Sequence, residues 1–214
     1  NENGPVVQDS IVNITCSGDS DGAIYLTISN LSGIAYGVDW DNDGLIGSGD
    51  VDGPDSDSVL NLSAGLYTVY VTDSTNGCVT ILDTNVLDPG IIVLAPSADS
   101  VSCNGNLDGS VSVLATGGNS GYTYLWDVNA GSQASDTAFN LGVGTYSVTV
   151  TDQKGCTSDT LVTLEEPNVM LISSTWTDSV SCNGLSDGRG NIQVSGGNGI
   201  NSYLWDFFAG AQTS

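Results

Sequence analysis

The chain has 214 residues, of which 25 are acidic and 2 are basic, so its formal net charge at pH 7 is -23. Such a charge repels nucleic-acid phosphates and anionic membrane surfaces, which excludes both as partners. The sequence contains no histidine. This excludes Ser-His-Asp and Cys-His catalysis and His-ligated zinc, and we therefore expect no enzyme.

A recurring phrase divides the chain into repeats. The sequence DSVSCNG occupies residues 99–105 and again 178–184, and a looser relative, NITCSGDSDG, stands at 13–22. Internal repetition of this kind indicates tandem domains of one fold. We predict a first repeat with an acidic insert over 1–89, a second over 90–167 and the N-terminal part of a third over 168–214.

The segments between these phrases read as short strands. In YSVTVTD the side chains of Tyr146, Val148 and Val150 alternate with Ser147, Thr149 and Thr151, which is the period of a strand with one buried face. Gly-, Asn-, Asp- and Ser-rich turns separate such strands, which predicts an all-β sandwich. The expected fold is a tandem array of immunoglobulin-like β-sandwiches, the third incomplete. Two sets of aromatic residues favour it: a tryptophan in the third strand of each repeat (Trp40, Trp126, Trp205) and a tyrosine-corner residue (Tyr67, Tyr146).

The motif C-[SN]-G-x-x-D-G is interpreted as a turn. We expect the cysteine to end a strand, the first glycine to adopt a positive φ, and the Asp-Gly pair to close the turn into the next strand. A metal-binding role for Asp21, Asp108 and Asp187 is the alternative, but no second carboxylate lies at ligand spacing.

The acidic insert of the first repeat resembles a calcium-binding loop. DWDNDGLIGSGD places Asp39, Asp41 and Asp43 at loop positions 1, 3 and 5, and Asp50 at position 12. Leu45 would offer its carbonyl oxygen. We expect calcium as a cofactor of this repeat alone. The alternative is a solvated acidic loop, since three more aspartates follow: Asp52, Asp55 and Asp57.

The five cysteines are expected to form one bridge per repeat. The repeat pattern predicts the disulfides Cys16–Cys78 and Cys103–Cys156 and leaves Cys182 without a partner within this chain. Such bridges persist in oxidising surroundings, so we expect an extracellular protein. Residue 1 is Asn and no apolar run is long enough to cross a bilayer. We therefore expect an internal piece of a longer protein, with no membrane insertion.

Taken together, these motifs carry a family resemblance. C-x-G-x-x-D-G, G-G, Y-x-W and L-x-x-G-x-Y-x-V-x-V-T-D-x-x-G-C together resemble the SprB-type repeat of Bacteroidota cell-surface adhesins. The resemblance covers nearly the whole chain, although the first repeat departs from it at the acidic insert. It implies a very long extracellular protein at the cell surface, exported by type IX secretion. Members of the family serve adhesion and, in some bacteria, gliding motility.

The resemblance also makes a glycosylation signal relevant. Asp-[Ser/Thr]-[aliphatic, Ala or Thr] is similar to the O-glycan acceptor signal of exported Bacteroidota proteins. It would be modified at Ser10, Ser58, Ser74, Ser100, Thr137, Thr160 and Ser179. The alternative is that Asp-Ser and Asp-Thr merely open strands. We expect each acceptor to lie near a turn or strand edge, where a sugar can be accommodated.

Two classes of function remain. The first is structural: a stalk or spacer of a surface adhesin or filament, whose partners are the neighbouring repeats of the same chain. The second is an array of carbohydrate-binding modules that contacts a surface polysaccharide or the substratum. For it, Phe207 and Phe208 would have to be exposed and coplanar with Trp176.

Overall fold

The computed structural model describes residues 4–33, 35–40 and 57–205, which are almost entirely β-structure. The first repeat contains β1 (Val6–Val12), β2 (Gly22–Ser29), β3 (Tyr36–Asp39), β4 (Ser58–Leu62), β5 (Gly65–Asp73) and β6 (Val79–Val86). The second contains β7 (Ile92–Asp99), β8 (Gly109–Gly117), β9 (Thr123–Trp126), β10 (Thr137–Leu141), β11 (Gly144–Thr151) and β12 (Thr157–Leu164). The third contains β13 (Leu171–Asp178) and β14 (Arg189–Ser195). Across these described ranges the helical structure is a 3-10 turn, Val128–Ala130, and no helix there could span a membrane.

The first repeat is built from two antiparallel three-stranded sheets. One has the order β1-β2-β4 and the other β3-β5-β6. Strand alternation sends Val69 and Val71 of β5 inward, where both are fully buried. The core formed by the buried apolar side chains consists of Ile14, Ile24, Leu26, Val38, Val59, Leu62, Val69, Val71 and Val86.

The second repeat has the same topology, with sheets of order β7-β8-β10 and β9-β11-β12. The predicted alternation in β11 is confirmed: Tyr146, Val148 and Val150 are buried. Trp126, at the end of β9, is 1% exposed, and its indole N–H donates to the carbonyl of Ser135 at 2.9 Å. Two small antiparallel sheets enclosing a tryptophan confirm the all-β, immunoglobulin-like class.

The third repeat contributes one antiparallel pair, in which Leu171 of β13 lies opposite Ser195 of β14. The ring of Trp205 lies over Gly190, where an added Cβ would be 3.5 Å from it. Trp205 and Trp40 are partly buried, and Trp40 directly follows β3 and packs against the first core. The three tryptophans therefore occupy comparable chain positions, and Trp126 is the most deeply buried of them.

Both tyrosine corners form as predicted. The hydroxyl of Tyr67 donates to the carbonyl of Ser63 at 2.9 Å. The hydroxyl of Tyr146 donates to the carbonyl of Gly142 at 2.8 Å. Each bond ties the start of a late strand, β5 or β11, to the chain that enters it, which is the arrangement of sandwich domains of this class.

By proximity of its backbone segments the chain divides into two compact units. Unit 1 comprises Asn1–Val93, Ala115–Tyr122 and Thr151–Ser158, and unit 2 comprises Leu94–Leu114, Thr123–Val150 and Asp159–Ser214. Unit 1 thus holds both sheets of the first repeat with two turn regions of the second. Each sheet draws its strands from one predicted repeat. The boundaries at 89/90 and 167/168 stay predictions.

Candidate functional site

The turn between the first two strands of a repeat, here called the first turn, carries the cysteine motif. In the first repeat Gly18 has φ +86°, a left-handed conformation that glycine adopts without steric cost. The Asp21 carboxylate accepts a hydrogen bond from the backbone N–H of Thr15 at 2.9 Å and so closes the turn. Cys16 lies within this turn, beyond the end of β1 at Val12. The expectation that the cysteine ends a strand was wrong, because the backbone leaves the sheet before reaching it.

The same turn recurs in the other two repeats. Asp108 accepts from the backbone N–H of Ser102 at 3.0 Å, and Asp187 from that of Ser181 at 3.0 Å. Both serine hydroxyls donate to the same carboxylates. The hydroxyl and then the N–H bond lower the pKa of Asp108 and Asp187. These carboxylates therefore serve to close turns, which favours the structural interpretation of the motif.

A second acidic residue organises the turn between the last two strands, here called the last turn. Asp152 is 5% exposed, and its Oδ1 accepts from the backbone N–H groups of Lys154 at 2.9 Å and Cys156 at 3.0 Å. Its Oδ2 accepts from the backbone N–H of Asn119 at 2.8 Å. Burial raises the pKa of Asp152, but these hydrogen bonds, led by that of Asn119, outweigh it and lower the pKa overall. Asp152 thus holds Cys156 in a defined position.

Asp73 organises the last turn of the first repeat in the same way. It is 1% exposed, and its Oδ2 accepts from the hydroxyl of Ser32 at 2.6 Å and from the backbone N–H of the same residue at 2.7 Å. Its Oδ1 accepts from the N–H of Thr75 at 2.8 Å. The Ser32 hydroxyl and then its N–H lower the pKa of Asp73 to about 2.

The roles of Asp73 and Asp152 were not predicted from the sequence, although the strand alternation carries a signal for them. In β5 the alternation that buries Val69 and Val71 also places Asp73 on the core side. A carboxylate at a buried-face position must find hydrogen-bond donors, because leaving a charge without them in a core is unfavourable. A strand ending in such an aspartate therefore predicts a turn organised around it.

The first turn of the first repeat and the last turn of the second repeat are joined by a disulfide. Cys16 of the first repeat is bonded to Cys156 of the second, with Cα atoms 5.6 Å apart, and both residues belong to unit 1. The side-chain amide of Asn119 donates to the carbonyl of Thr15 at 2.9 Å beside the bond. A covalent bond and a partly buried hydrogen-bond network therefore hold the first turn of one repeat to the last turn of the following one.

This bond contradicts the predicted pairing of cysteines within each repeat. Cys16 is not bonded to Cys78, nor Cys103 to Cys156. Within the described residues the thiols of Cys78, Cys103 and Cys182 are free, Cys78 partly buried and the other two exposed.

The physical reason is that the first and last turns of a repeat lie at opposite ends of its sandwich. Asn13, beside the first turn, accepts from the N–H of Leu87, which follows β6, at 2.9 Å. At the other end of β6, beside the last turn, the hydroxyl of Thr80 donates to the carbonyl of Pro5 at 2.6 Å. Strand β1 separates the two ends by 7 residues, or roughly 23 Å. A disulfide spans Cα atoms no more than about 7 Å apart.

The residues proposed for carbohydrate stacking are only partly described. Trp176 lies on β13 and is 55% exposed, so one aromatic surface is available to a ligand. Phe207 and Phe208 fall outside the described residues. The coplanar arrangement stays a prediction.

The calcium loop lies almost wholly outside the described residues. Asp39 ends β3 and is 7% exposed. Asp41, Asp43, Leu45 and Asp50 are not described. The residues that are described contain no group of three or more His, Cys, Asp or Glu side chains able to hold a metal. The calcium site stays a prediction.

The seven predicted glycan acceptors occupy two kinds of position. Five lie at strand ends or just past them, namely Ser58, Ser74, Ser100, Thr137 and Ser179. Ser10 and Thr160 lie within β1 and β12, which are edge strands of their sheets. Ser10, Ser74, Ser100 and Ser179 are exposed, and the other three are partly exposed.

The buried aspartates predict acid sensitivity. The pKa of Asp73 is lowered from 3.8 to about 2 on folding, so its contribution to stability is complete above the unfolded value and lost as pH falls through the folded value. We expect the urea midpoint to drop between about pH 5 and pH 2. An Asp73→Asn variant should be less stable at pH 7. Its urea midpoint should also change less than that of the native chain as the pH falls through this range. The matched control is Asp99→Asn, an exposed residue at the end of β7, which should keep the native profile. Equal pH profiles for Asp73→Asn and the native chain would contradict the assignment.

Comparisons with known proteins agree with the motifs. Residues 95–131 match the SprB repeat family. No curated protein matches the chain in sequence.

Among solved structures, three N-terminal domains of the Hoc outer capsid protein of bacteriophage RB49 are similar at 11% identity and a TM-score of 0.47, covering 94% of this chain and 73% of that one. The titin I-band fragment I67–I69 is similar at 12% identity and a TM-score of 0.37, covering 96% and 80%. A C-terminal intimin fragment, crystallised with the intimin-binding domain of its receptor Tir, is similar at 12% identity and a TM-score of 0.34, covering 78% and 66%.

The family match falls on β7, β8, β9 and the 3-10 turn, so it includes the first turn of the second repeat and the buried Trp126. The SprB repeat family is one of cell-surface proteins. Residues 95–131, in the second repeat of the chain, are therefore identified as an SprB repeat.

Proposed function

We propose that this chain is part of the stalk of a large bacterial surface adhesin or filament, exported by type IX secretion and serving adhesion and, in some hosts, gliding motility. The observation that carries the proposal is the Cys16–Cys156 bond, which joins turns of successive repeats. A covalent connection between repeats suits a spacer that must transmit force without lengthening. The SprB match supports the placement at the cell surface.

Changing the number of repeats in the native protein tests the stalk. Deleting residues 90–167 should shorten the surface filament by roughly 35–45 Å, the length of one sandwich, and inserting a second copy should lengthen it by as much. Cell adhesion should persist in both strains. If adhesion is abolished by the deletion while filament length measured by electron microscopy is unchanged, the spacer role is wrong.

A carbohydrate-binding array is the second candidate, favoured by the exposed ring of Trp176. Aromatic rings at a surface can stack on sugar faces. The purified chain should then be retarded in gels containing the host's own surface polysaccharide, and Trp176→Ala should remove the retardation. Leu204→Ala, which truncates another exposed apolar side chain of the same repeat, is the matched control. Equal mobility with and without polysaccharide would argue for the spacer alone.

We also propose that the acidic insert binds one calcium ion through Asp39, Asp41, Asp43, Asp50 and the carbonyl of Leu45. Alternating oxygen ligands suit a hard cation of this size. Titration calorimetry with millimolar calcium should give a one-site isotherm, and chelation should lower the melting temperature of the first repeat. Asp41→Asn should weaken binding at least tenfold, whereas Asp57→Asn, outside the loop, should not. No heat and unchanged melting would leave the insert as a solvated acidic loop.

O-glycans are proposed at the seven Asp-[Ser/Thr] acceptors. Sugars on Ser10 and Thr160 would cover edge strands and so hinder edge-to-edge pairing. Protein from its natural host should exceed the polypeptide mass by several equal glycan increments in intact-mass spectrometry. Ser100→Ala should remove one increment, and Ser174→Ala, an exposed serine that does not follow aspartate, should remove none. A mass equal to the bare polypeptide would refute glycosylation.

A further inference from the structure

The cysteines of this chain fall into two classes by position. Those of the first-turn class, Cys16, Cys103 and Cys182, each stand two residues before a glycine of positive φ. Those of the last-turn class, Cys78 and Cys156, each directly follow such a glycine, with φ +73° at Gly77 and +94° at Gly155. The observed disulfide joins one member of each class.

Pairing within the second repeat is excluded by the same geometry as in the first. The side-chain amide of Asn104 donates to the carbonyl of Pro167 at 3.1 Å, and the N–H of Gly105 donates to Glu166 at 2.9 Å. The first turn therefore lies beside the chain that leaves β12. Cys156 precedes β12, at the start of the strand and not at its end, and it is already bonded to Cys16. A disulfide partner of Cys103, whose thiol is free here, would therefore come from outside its own repeat.

The surroundings of the observed bond recur in the third repeat. Asn119, which donates to the carbonyl of Thr15, follows two glycines of positive φ, Gly117 and Gly118. Asn198 likewise follows two glycines of positive φ, at 196 and 197. An added Cβ on Gly117 would lie 2.3 Å from the carbonyl oxygen of Ile91.

The similarity between the loops at 117–119 and 196–198 extends to the packing of their glycines. An added Cβ on Gly196 would lie 2.1 Å from the carbonyl oxygen of Val169, the residue that corresponds to Ile91. The loop that presents Asn119 to Thr15 is thus built again, by the same close backbone approach, in the third repeat. There the equivalent of Thr15 is Ser102, which directly precedes Cys103.

We propose that Cys103 is the attachment point for the last-turn cysteine of the third repeat, so that Cys16–Cys156 is one bond of a repeating series. In this series each first-turn cysteine is bonded to the last-turn cysteine of the following repeat. Asn198 then donates to the carbonyl of Ser102, as Asn119 does to that of Thr15. The partner recognised by Cys103 is a turn of the type Asp-x-x-Gly-Cys, held by a buried aspartate as Cys156 is held by Asp152.

The bond forms by thiol–disulfide exchange. The Cys103 thiolate attacks a small-molecule disulfide such as oxidised glutathione, forming a mixed disulfide and releasing one thiolate. The last-turn thiolate of the third repeat then attacks the Cys103 sulfur and releases the second. Two protein thiols become one disulfide, and one small-molecule disulfide is reduced to two thiols. The exposure of Cys103 leaves it accessible to this exchange.

Disulfide mapping of the full-length natural protein tests the series. After digestion without reductant, the peptide containing Cys103 should be linked to the last-turn peptide of the third repeat. A free Cys103, a Cys103–Cys156 link or a link to a second molecule would each overturn the proposal. Mapping reports the linkage whether or not the protein proves to be an adhesin.

Two variants sharpen the test. Cys103→Ser should preserve the Cys16–Cys156 link and expose one new maleimide-reactive thiol, located in the last turn of the third repeat. Asp152→Asn, which loosens the last turn of the second repeat, should slow formation of Cys16–Cys156 during oxidative refolding and leave the Cys103 link unchanged. If Cys103→Ser exposes no new thiol, Cys103 has no such partner.

Discussion

Pulling this chain by its two ends in oxidising buffer should release no length from the residues enclosed by the Cys16–Cys156 bond. Force passes through the sulfur atoms, so the segment between the two cysteines carries no load even if its strands separate. Reduction should release that segment, which covers 140 residues of sequence separation. At about 3.3–3.6 Å per extended residue, the added contour length is roughly 460–500 Å.

Single-molecule force spectroscopy measures this length directly. Cys156→Ser in oxidising buffer should behave like the reduced native chain, and Cys182→Ser, which removes an exposed free thiol, should behave like the oxidised one. The same unfolding length in oxidised and reduced native protein would show that the bond does not carry the load.

Trp126→Ala should destabilise the second repeat by roughly 3–5 kcal/mol, the cost of emptying a buried aromatic site. The side chain is 1% exposed, and its removal also deprives the carbonyl of Ser135 of its indole donor. A domain of this size has a stability of roughly 4–12 kcal/mol, so the loss takes a large share of it.

Urea unfolding followed by tryptophan fluorescence and limited proteolysis gives the measurement. Trp176→Ala is the matched control, because this side chain is 55% exposed and its truncation should change stability by less than about 0.5 kcal/mol. Equal midpoints for Trp126→Ala and the native chain would mean that the second core does not depend on this ring.

The strand pattern was predictable because it depends on local sequence. The alternation in 146–151 follows from the period of a strand, and each buried side chain predicted there is buried. The tyrosine corners were predictable for the same reason, since the hydroxyl bonds a carbonyl only four residues earlier. A short sequence separation leaves few residues that could form each contact, so the partner can be predicted.

The role of Asp73 and Asp152 was harder to predict, because their donors come from distant segments. Asp152 accepts from Asn119, which is separated from it by 33 positions, and Asp73 from Ser32, separated by 41. The strand alternation indicates that these carboxylates face inward. It does not identify the loop that supplies the hydrogen bonds.

By itself, the sequence determined the all-β class, the repeated unit, the first turns and the inward face of β11, because these rest on periodicity and on contacts between near neighbours. Only the tertiary structure decided the disulfide. The repeat pattern allowed Cys16 to pair with Cys78, but the sandwich places these residues at opposite ends of β1, and the bond forms with Cys156 instead. Cysteine pairing depends on which turns the folded sheets bring within about 7 Å, and spacing along the chain does not specify that distance.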